Sequence, residues 1–259
     1  MQWKTKGLII REQTIGESDR LVTILTHDRG AVRAFARKAK ELKNSKNAAT
    51  QLLCYSRLNL YQGRDKYIVN DAFPQEVFFE LRQELSKLAL AQYFCELAAE
   101  LAPEGVESSE FLRVVLNALH FLCSGKRTEM LLKCIVELRL LSIAGFMPDF
   151  SACAGCGKEE GDRMQFVIPE GEIYCTDCYA AYEEQRSAEQ ALIRRRPTAG
   201  LGPAAVQGVR HIIQSDFQNL FSFSCTPGAL REMGAASEAY VHQVIQRRMA
   251  TLAFYHGLR

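Results

Sequence analysis

Cys153-Ala-Gly-Cys156 and Cys175-Thr-Asp-Cys178, separated by 18 residues, constrain this chain more than any other feature. Each CxxC turn presents two sulfurs, and two such turns can enclose one ion tetrahedrally. Thiolate sulfur suits zinc, and a filled four-sulfur shell leaves no position for a catalytic water. The spacing predicts one structural zinc ion held by Cys153, Cys156, Cys175 and Cys178. An iron–sulfur centre uses the same ligands, but nothing else in the chain suggests redox chemistry. Glycines at 155 and 157 let the first turn fold tightly. Between residues 153 and 178, Lys158 and Arg163 face Glu159, Glu160, Asp162, Glu170, Glu172 and Asp177. Four thiolates around a divalent ion add further negative charge, so this module repels phosphate and reads as scaffold or protein contact.

Charge is distributed unevenly. Residues 1–70 carry 14 Lys or Arg against 6 Asp or Glu, a balance of +8, while the other 189 residues carry 18 against 24, a balance of −6. A basic lobe on an acidic body points to a localised polyanion site. The same lobe reads as five short strands: Gly7–Gln13, Arg20–Thr26, Ala31–Arg37, Leu52–Tyr61 and Tyr67–Phe73. Turn residues at 16–19, 27–30 and 62–65 separate some of them. The pattern predicts a small barrel, with the OB type leading and an SH3-like barrel similar at this level. In the third strand Arg33, Phe35 and Arg37 alternate with Val32, Ala34 and Ala36, which puts the cations on one face. Lys38, Lys40, Lys43 and Lys46 follow in a stretch to Thr50 that reads as a long mobile loop able to track a phosphate backbone. Phe35, Tyr55, Tyr61 and Tyr67 are candidates for base stacking. A solvated lysine loop and packed aromatics would give the same sequence.

From Gln75 the period becomes helical. Leu81, Leu85, Leu88, Gln92, Cys95 and Ala99 form one stripe; Phe111–Leu122 and Glu129–Ile143 follow, and Gly145 and Pro148 precede the cysteine module. Helix resumes over Tyr179–Ile193, breaks at Arg194–Pro197 and Gly200–Pro203, continues over Ala204–Ser215, and closes with one helix over about 235–255. The predicted architecture is multidomain α+β. An N-terminal five-stranded OB-type barrel spans 1–74, and an all-helical domain spans 75–150 and 180–259 around an inserted zinc module at 151–179. Cys54, Cys95, Cys123, Cys134 and Cys225 are scattered and read as small core residues. No phosphate loop, HExxH or GxSxG motif is present, the five histidines are dispersed, and Asp28, Asp65 and Asp71 read as turn residues, so no enzyme is predicted. No apolar run is long enough to span a membrane or serve as a signal peptide, which predicts a cytoplasmic protein.

Gly7-Leu-Ile-Ile-Arg11, Gly16-Glu-Ser-Asp-Arg20-Leu-Val-Thr-Ile-Leu-Thr26 and Arg29-Gly30-Ala-Val-Arg33-Ala-Phe-Ala-Arg37-Lys38 resemble the N-terminal signature of the bacterial recombination mediator family RecO. Gly145-Phe-Met-Pro-Asp149 leading into the cysteines resembles its zinc-bearing members, and Leu252-Ala-Phe-Tyr255-His256-Gly257-Leu258 resembles its closing helix. This resemblance implies an OB barrel and a helical domain. It also implies binding of single- and double-stranded DNA, annealing of complementary strands, and help in replacing single-strand-binding protein with RecA. RecR, and in some settings RecF, are the implied partners, and the nucleoid during repair is the implied place of work. Arg20, Arg33, Arg37 and Lys38 match basic positions of the motif; Lys40, Lys43 and Lys46 rest on charge alone. Contact with the acidic, hydrophobic tail of single-strand-binding protein needs cations beside apolar walls, for which Lys126, Arg127, Lys133 and Arg139 are candidates. The competing reading is a zinc-stabilised interaction scaffold in a repair complex, without direct DNA activity.

Overall fold

The computed structural model describes residues 2–41, 43–63, 66–189 and 197–258. Five strands, β1 (Gln2–Ile15), β2 (Asp19–Thr26), β3 (Gly30–Ala36), β4 (Cys54–Gln62) and β5 (Tyr67–Val77), close a barrel in the order β1-β2-β3-β5-β4. Only β3 and β5 run parallel. That order is the OB arrangement, the type that led over an SH3-like barrel in the sequence. Closure depends on the unusual length of β1. Its first half pairs with β4 from Gln2 to Leu8, and its second half pairs with β2 from Gly7 onward. A bulge between Ile9 and Arg11 bends the strand so that it serves both neighbours. The inward residues are those that alternation selects: Ile9, Val22, Ile24, Ala34, Ala36, Leu58, Leu60, Val69 and Ala72 are buried together.

The segment between β3 and β4 is fastened, contrary to the expectation of a mobile loop. It contains a single helical turn, α1 (Lys46–Ala49). The Arg20 guanidinium donates to the Asn47 carbonyl at 2.6 Å and to Thr50 Oγ1 at 3.1 Å. The Asn47 amide donates to the carbonyls of Lys40 and Glu41, at 3.0 and 3.3 Å. Lys38 N donates to Asp19 Oδ1, and Lys40 N to the Ser18 carbonyl. Side chains thus take up main-chain groups that a plain loop would leave to water.

Two compact units emerge, residues 1–129 with 249–259, and residues 130–248. This grouping cuts the chain elsewhere than the four segments drawn from sequence. In the first unit a 3-10 turn (Phe79–Gln83) leads into α2 (Leu85–Leu101), followed by α3 (Ser109–Ser124), which ends at Gly125 in the left-handed region. The buried side of α2 runs through Leu90, Phe94 and Leu97, while Leu85, placed on the predicted stripe, is exposed. The closing helix α8 (Ala250–Gly257) returns to this unit: Thr251 donates from backbone and side chain to Glu96, and the Tyr255 hydroxyl donates to Glu129 at 2.9 Å.

The β2–β3 turn is locked to the loop after α2. Ala31 N donates to the Pro103 carbonyl, Gly105 N to the Arg29 carbonyl, and Ser108 N to the His27 carbonyl. Gly30 has φ +61°, and a Cβ there would lie 1.8 Å from the Pro103 oxygen. Gly30→Ala should therefore lower the unfolding free energy by at least about 2 kcal/mol, from left-handed strain and loss of this contact. Chemical denaturation checks it; an unchanged midpoint would mean that the turn does not need this close approach.

The second unit holds α4 (Glu129–Ile143) from Met130 onward, α5 (Thr176–Glu189), α6 (Pro203–Gln214) and α7 (Pro227–Ile245). It also holds a three-stranded antiparallel sheet, β7 (Glu172–Cys175), β6 (Met164–Val167) and β8 (Thr198–Leu201), in that order. β6 and β7 fall within the predicted zinc module, where no elements are predicted from sequence, and β8 overlaps the predicted break at 200–203. Arg194–Arg196, and the predicted continuation of α5 to Ile193, lie outside the described residues. The single closing helix predicted over 235–255 is two helices. Thr226 caps α7 through its side chain, with Pro227 at the first turn, and Gln246 ends it in the left-handed region at φ +54°. Met249 is extended and starts α8.

Candidate nucleic-acid interface and metal centre

On the outer wall of the barrel, register decides which cations meet. Arg11, Thr23 and Arg33 are direct partners across β1, β2 and β3, so two arginines flank a threonine in one outward row. Both arginines are exposed. They line a cleft shared with Leu21, Glu100 and Glu104. Sequence reasoning missed Arg11 because its strand reads as apolar to the bulge. The signal lay in pairing, since Arg11 opposes Thr23 only after the one-residue shift.

A second row runs the other way round the barrel. Phe35 on β3 pairs with Ile68 on β5, which pairs with Tyr61 on β4. Phe35 is half-buried and Tyr61 is 44% exposed, so two of the predicted stacking residues flank Ile68 on the outside. Lys66 Nζ lies 5.4 Å from the Phe35 ring centre. Phe35, Arg33, Lys66 and Tyr67 line a cleft of about 650 Å³. Tyr55 does not join them. It sits at the start of β4, opposite Leu8 and Glu76, and burial followed by the Glu76 charge pushes its hydroxyl pKa up. Tyr67 packs at 6.0 Å from Trp3, over which the Arg29 guanidinium lies at 4.4 Å.

Arg37, Lys38, Lys40 and Lys43 are exposed, and Lys46 is half-buried in α1. Lys38 faces Glu41 across 3.9 Å between exposed side chains, a contact worth little in water. Arg20 is half-buried and spends one guanidinium nitrogen on Asn47 and Thr50, so it also fastens the segment that carries the lysines.

Two of the four cations expected at a partner groove are placed differently. Lys133 is 1% exposed, with its ammonium 2.8 Å from Glu137 Oε1 and 2.9 Å from Glu238 Oε2. Ser237 Oγ donates to Glu137 at 2.5 Å. Burial pulls the Lys133 pKa down, but the two carboxylates outweigh it and leave it above its ordinary value. Lys133 is therefore a core residue and no groove wall. Arg139 donates to the carbonyls of Ile212 and Ile213, at 3.4 and 3.1 Å, near the end of α6. Lys126 is exposed, and Arg127 stands 5.9 Å over Phe121.

The four cysteines of the second unit converge, with their sulfurs all within 4.8 Å of one another. Cys153 and Cys175 are buried, Cys178 is half-buried and Cys156 is exposed. The first turn is tied to the sheet: Ala154 N donates to the Ile173 carbonyl at 2.8 Å, and Cys175 N to Cys153 Sγ at 3.2 Å. Gly155 allows the second pair to approach, since a Cβ there would lie 2.8 Å from the Cys178 Cβ. Burial opposes ionisation of Cys153, but N–H donors from Cys175, Cys156 and Gly155 outweigh it and bring the thiol to about 6. Hydrogen bonding to Cys175 and Cys156 pushes Cys178 up to about 12. Four sulfurs this close need a cation before all can ionise, and the donor set fits a metal ion. The scattered cysteines behave otherwise. Cys95 and Cys134 are pushed up to about 12 by burial, and they are inert packing.

An OB barrel with a basic outer wall, joined in one chain to helices and a four-cysteine cluster, is the class that fold and site define. The chain belongs to the recombination protein O family: the N-terminal model matches residues 1–78 and the C-terminal model residues 82–253. It is 31% identical to a protein named DNA repair protein RecO in Acetivibrio thermocellus, over 98% of this chain and 96% of that one. Proteins of the same name from Desulforudis audaxviator and Symbiobacterium thermophilum are 30% and 29% identical, with at least 96% of each chain covered. No helix among the described residues is long and apolar enough to cross a membrane.

Proposed function

We propose that this chain is a non-catalytic DNA-binding mediator of recombinational repair, acting in the cytoplasm. It binds single- and double-stranded DNA through the barrel, anneals complementary strands, and assists loading of RecA onto strands covered by single-strand-binding protein. RecR, and in some settings RecF, are its partners, and one zinc ion fills the four-cysteine centre as a structural element. The observation that carries this reading is the outward row Arg11–Thr23–Arg33, continued by Phe35 and by the exposed Arg37, Lys38 and Lys40. Cations on a sheet register neutralise phosphates while leaving base edges open to a complementary strand, which is what annealing requires. For the tail of single-strand-binding protein, Lys126 and Arg127 keep their place in the reading, and Lys133 is withdrawn by its burial.

Anisotropy titrations with labelled single strands of unrelated sequence, at several salt concentrations, test the interface. Arg33→Glu, Arg37→Glu and Lys40→Glu together should weaken binding by roughly 10–100-fold near 0.1 M salt. The slope of log affinity against log salt should flatten by about 1 for each phosphate contact removed. Unchanged affinity and slope would remove this wall from the mechanism. Binding that requires a second protein would favour the scaffold instead.

A further inference from the structure

Arg210 lies on α6, 32 residues beyond Cys178, yet its guanidinium reaches the first CxxC turn from both sides. Nε donates to the Phe150 carbonyl at 2.6 Å and Nη2 to the Ser151 carbonyl at 2.9 Å, just before Cys153. Nη2 also donates to the Glu159 carbonyl at 2.6 Å, just after the turn. The ends of the turn are thereby held by one planar group. Between these points the turn closes on itself, with Cys153 N donating to the Lys158 carbonyl and Gly157 N to the Cys153 carbonyl, each at 2.8 Å. Gly157 takes φ +73° there.

The choice of partners is informative. Glu159, Glu160 and Asp162 line the cleft that Arg210 also lines. Among the described residues, however, the guanidinium pairs with no carboxylate and spends its donors on main-chain oxygens. A solubilising or charge-balancing arginine would take the nearby carboxylates. A planar fork that spans three carbonyls fixes backbone geometry in a way that a lysine ammonium, rotating on a flexible stem, does not. On its other side the same turn is already pinned to β7 through Ala154. The geometry points to Arg210 as the positioning residue of the metal centre. It clamps the base of the first CxxC turn so that Cys153 and Cys156 are presented in ligating register, and it ties metal retention to the docking of α6.

This inference rests on the zinc reading, so the metal content of the unaltered protein is measured first. A protein without zinc sinks that reading and leaves the role of Arg210 with it. Given one zinc per chain, Arg210→Met is compared in the full-length protein by transfer of zinc to a chromogenic chelator and by thermal melting of zinc-loaded and metal-stripped forms. The expected result is zinc affinity lowered about 10–100-fold, the range for losing an outer-shell partner. The metal-stripped forms should melt alike, and Arg210→Lys should fall between. An unchanged rate and extent of zinc transfer would overturn the proposal. So would equal destabilisation of loaded and stripped forms, which would mark Arg210 as ordinary packing. Should Arg210→Met not fold, the zinc transfer of Arg210→Lys decides: faster than the unaltered protein supports the clamp, and equal overturns it.

Discussion

With the proposed zinc ion in the four-cysteine centre, a Cys175→Ser variant is expected to lose it and, with it, the order of β6, β7 and β8. Cys175 ends β7, pairs with Met164 on β6, and donates from its backbone to Cys153 Sγ. The sheet and the sulfur cluster are thus one object, and each strand contributes only four residues. Strands that short do not hold together by pairing alone. Structural zinc supplies about 10–16 kcal/mol in small domains at neutral pH, and a serine hydroxyl is a poor replacement for a thiolate. Metal analysis should fall from one zinc per chain to none, and amide exchange in β6 and β7 should rise sharply. Amides of the barrel should keep their protection, because its core of Ile9, Val22, Ile24 and Leu60 is built from its own strands. Full zinc content, or unaltered exchange in the sheet, would contradict the structural role.

Lys133→Met should lower the unfolding free energy by about 3–5 kcal/mol. The substitution keeps the helix and most of the volume, but it leaves Glu137 fully buried beside Ser237 with its cation gone. For a chain of this size the melting temperature should drop by on the order of 10 °C. A double variant, Lys133→Met with Glu137→Gln, should recover much of the loss, because it removes the stranded charge. The pH dependence has a definite sign. The folded-state pKa of Lys133 is raised, so its contribution is fully present below the unfolded lysine value near ~10.4. It is lost as pH rises through the higher folded value, which predicts an alkaline unfolding limb that Lys133→Met abolishes. Equal alkaline limbs in the two proteins would show that another group sets it.

Local pattern determined much of this molecule. The four cysteines were legible because two tight turns impose fixed spacing, and the barrel was legible because strand alternation is a period of two. Arg33 and Arg37 follow from the same parity, with Val32, Ala34 and Ala36 turned inward. The helix Glu129–Ile143 was legible to its ends. What tertiary structure decided was which neighbours each residue would have. Lys133, four residues before Glu137 on α4, reads in sequence as a cation for a partner groove. Only Ser237, 100 residues on from Glu137, and Glu238 reveal a buried network. The β8 strand has no period of its own in four residues and exists because β6 offers it an open edge. Arg11 joins Arg33 through a bulge-shifted register, and Arg20 and Asn47 turn an apparent tether into a fastened segment. Periodicity records how a residue faces its own element. Burial, ion pairing and convergence of distant cations depend on elements that sequence places far apart, and packing alone brings those together.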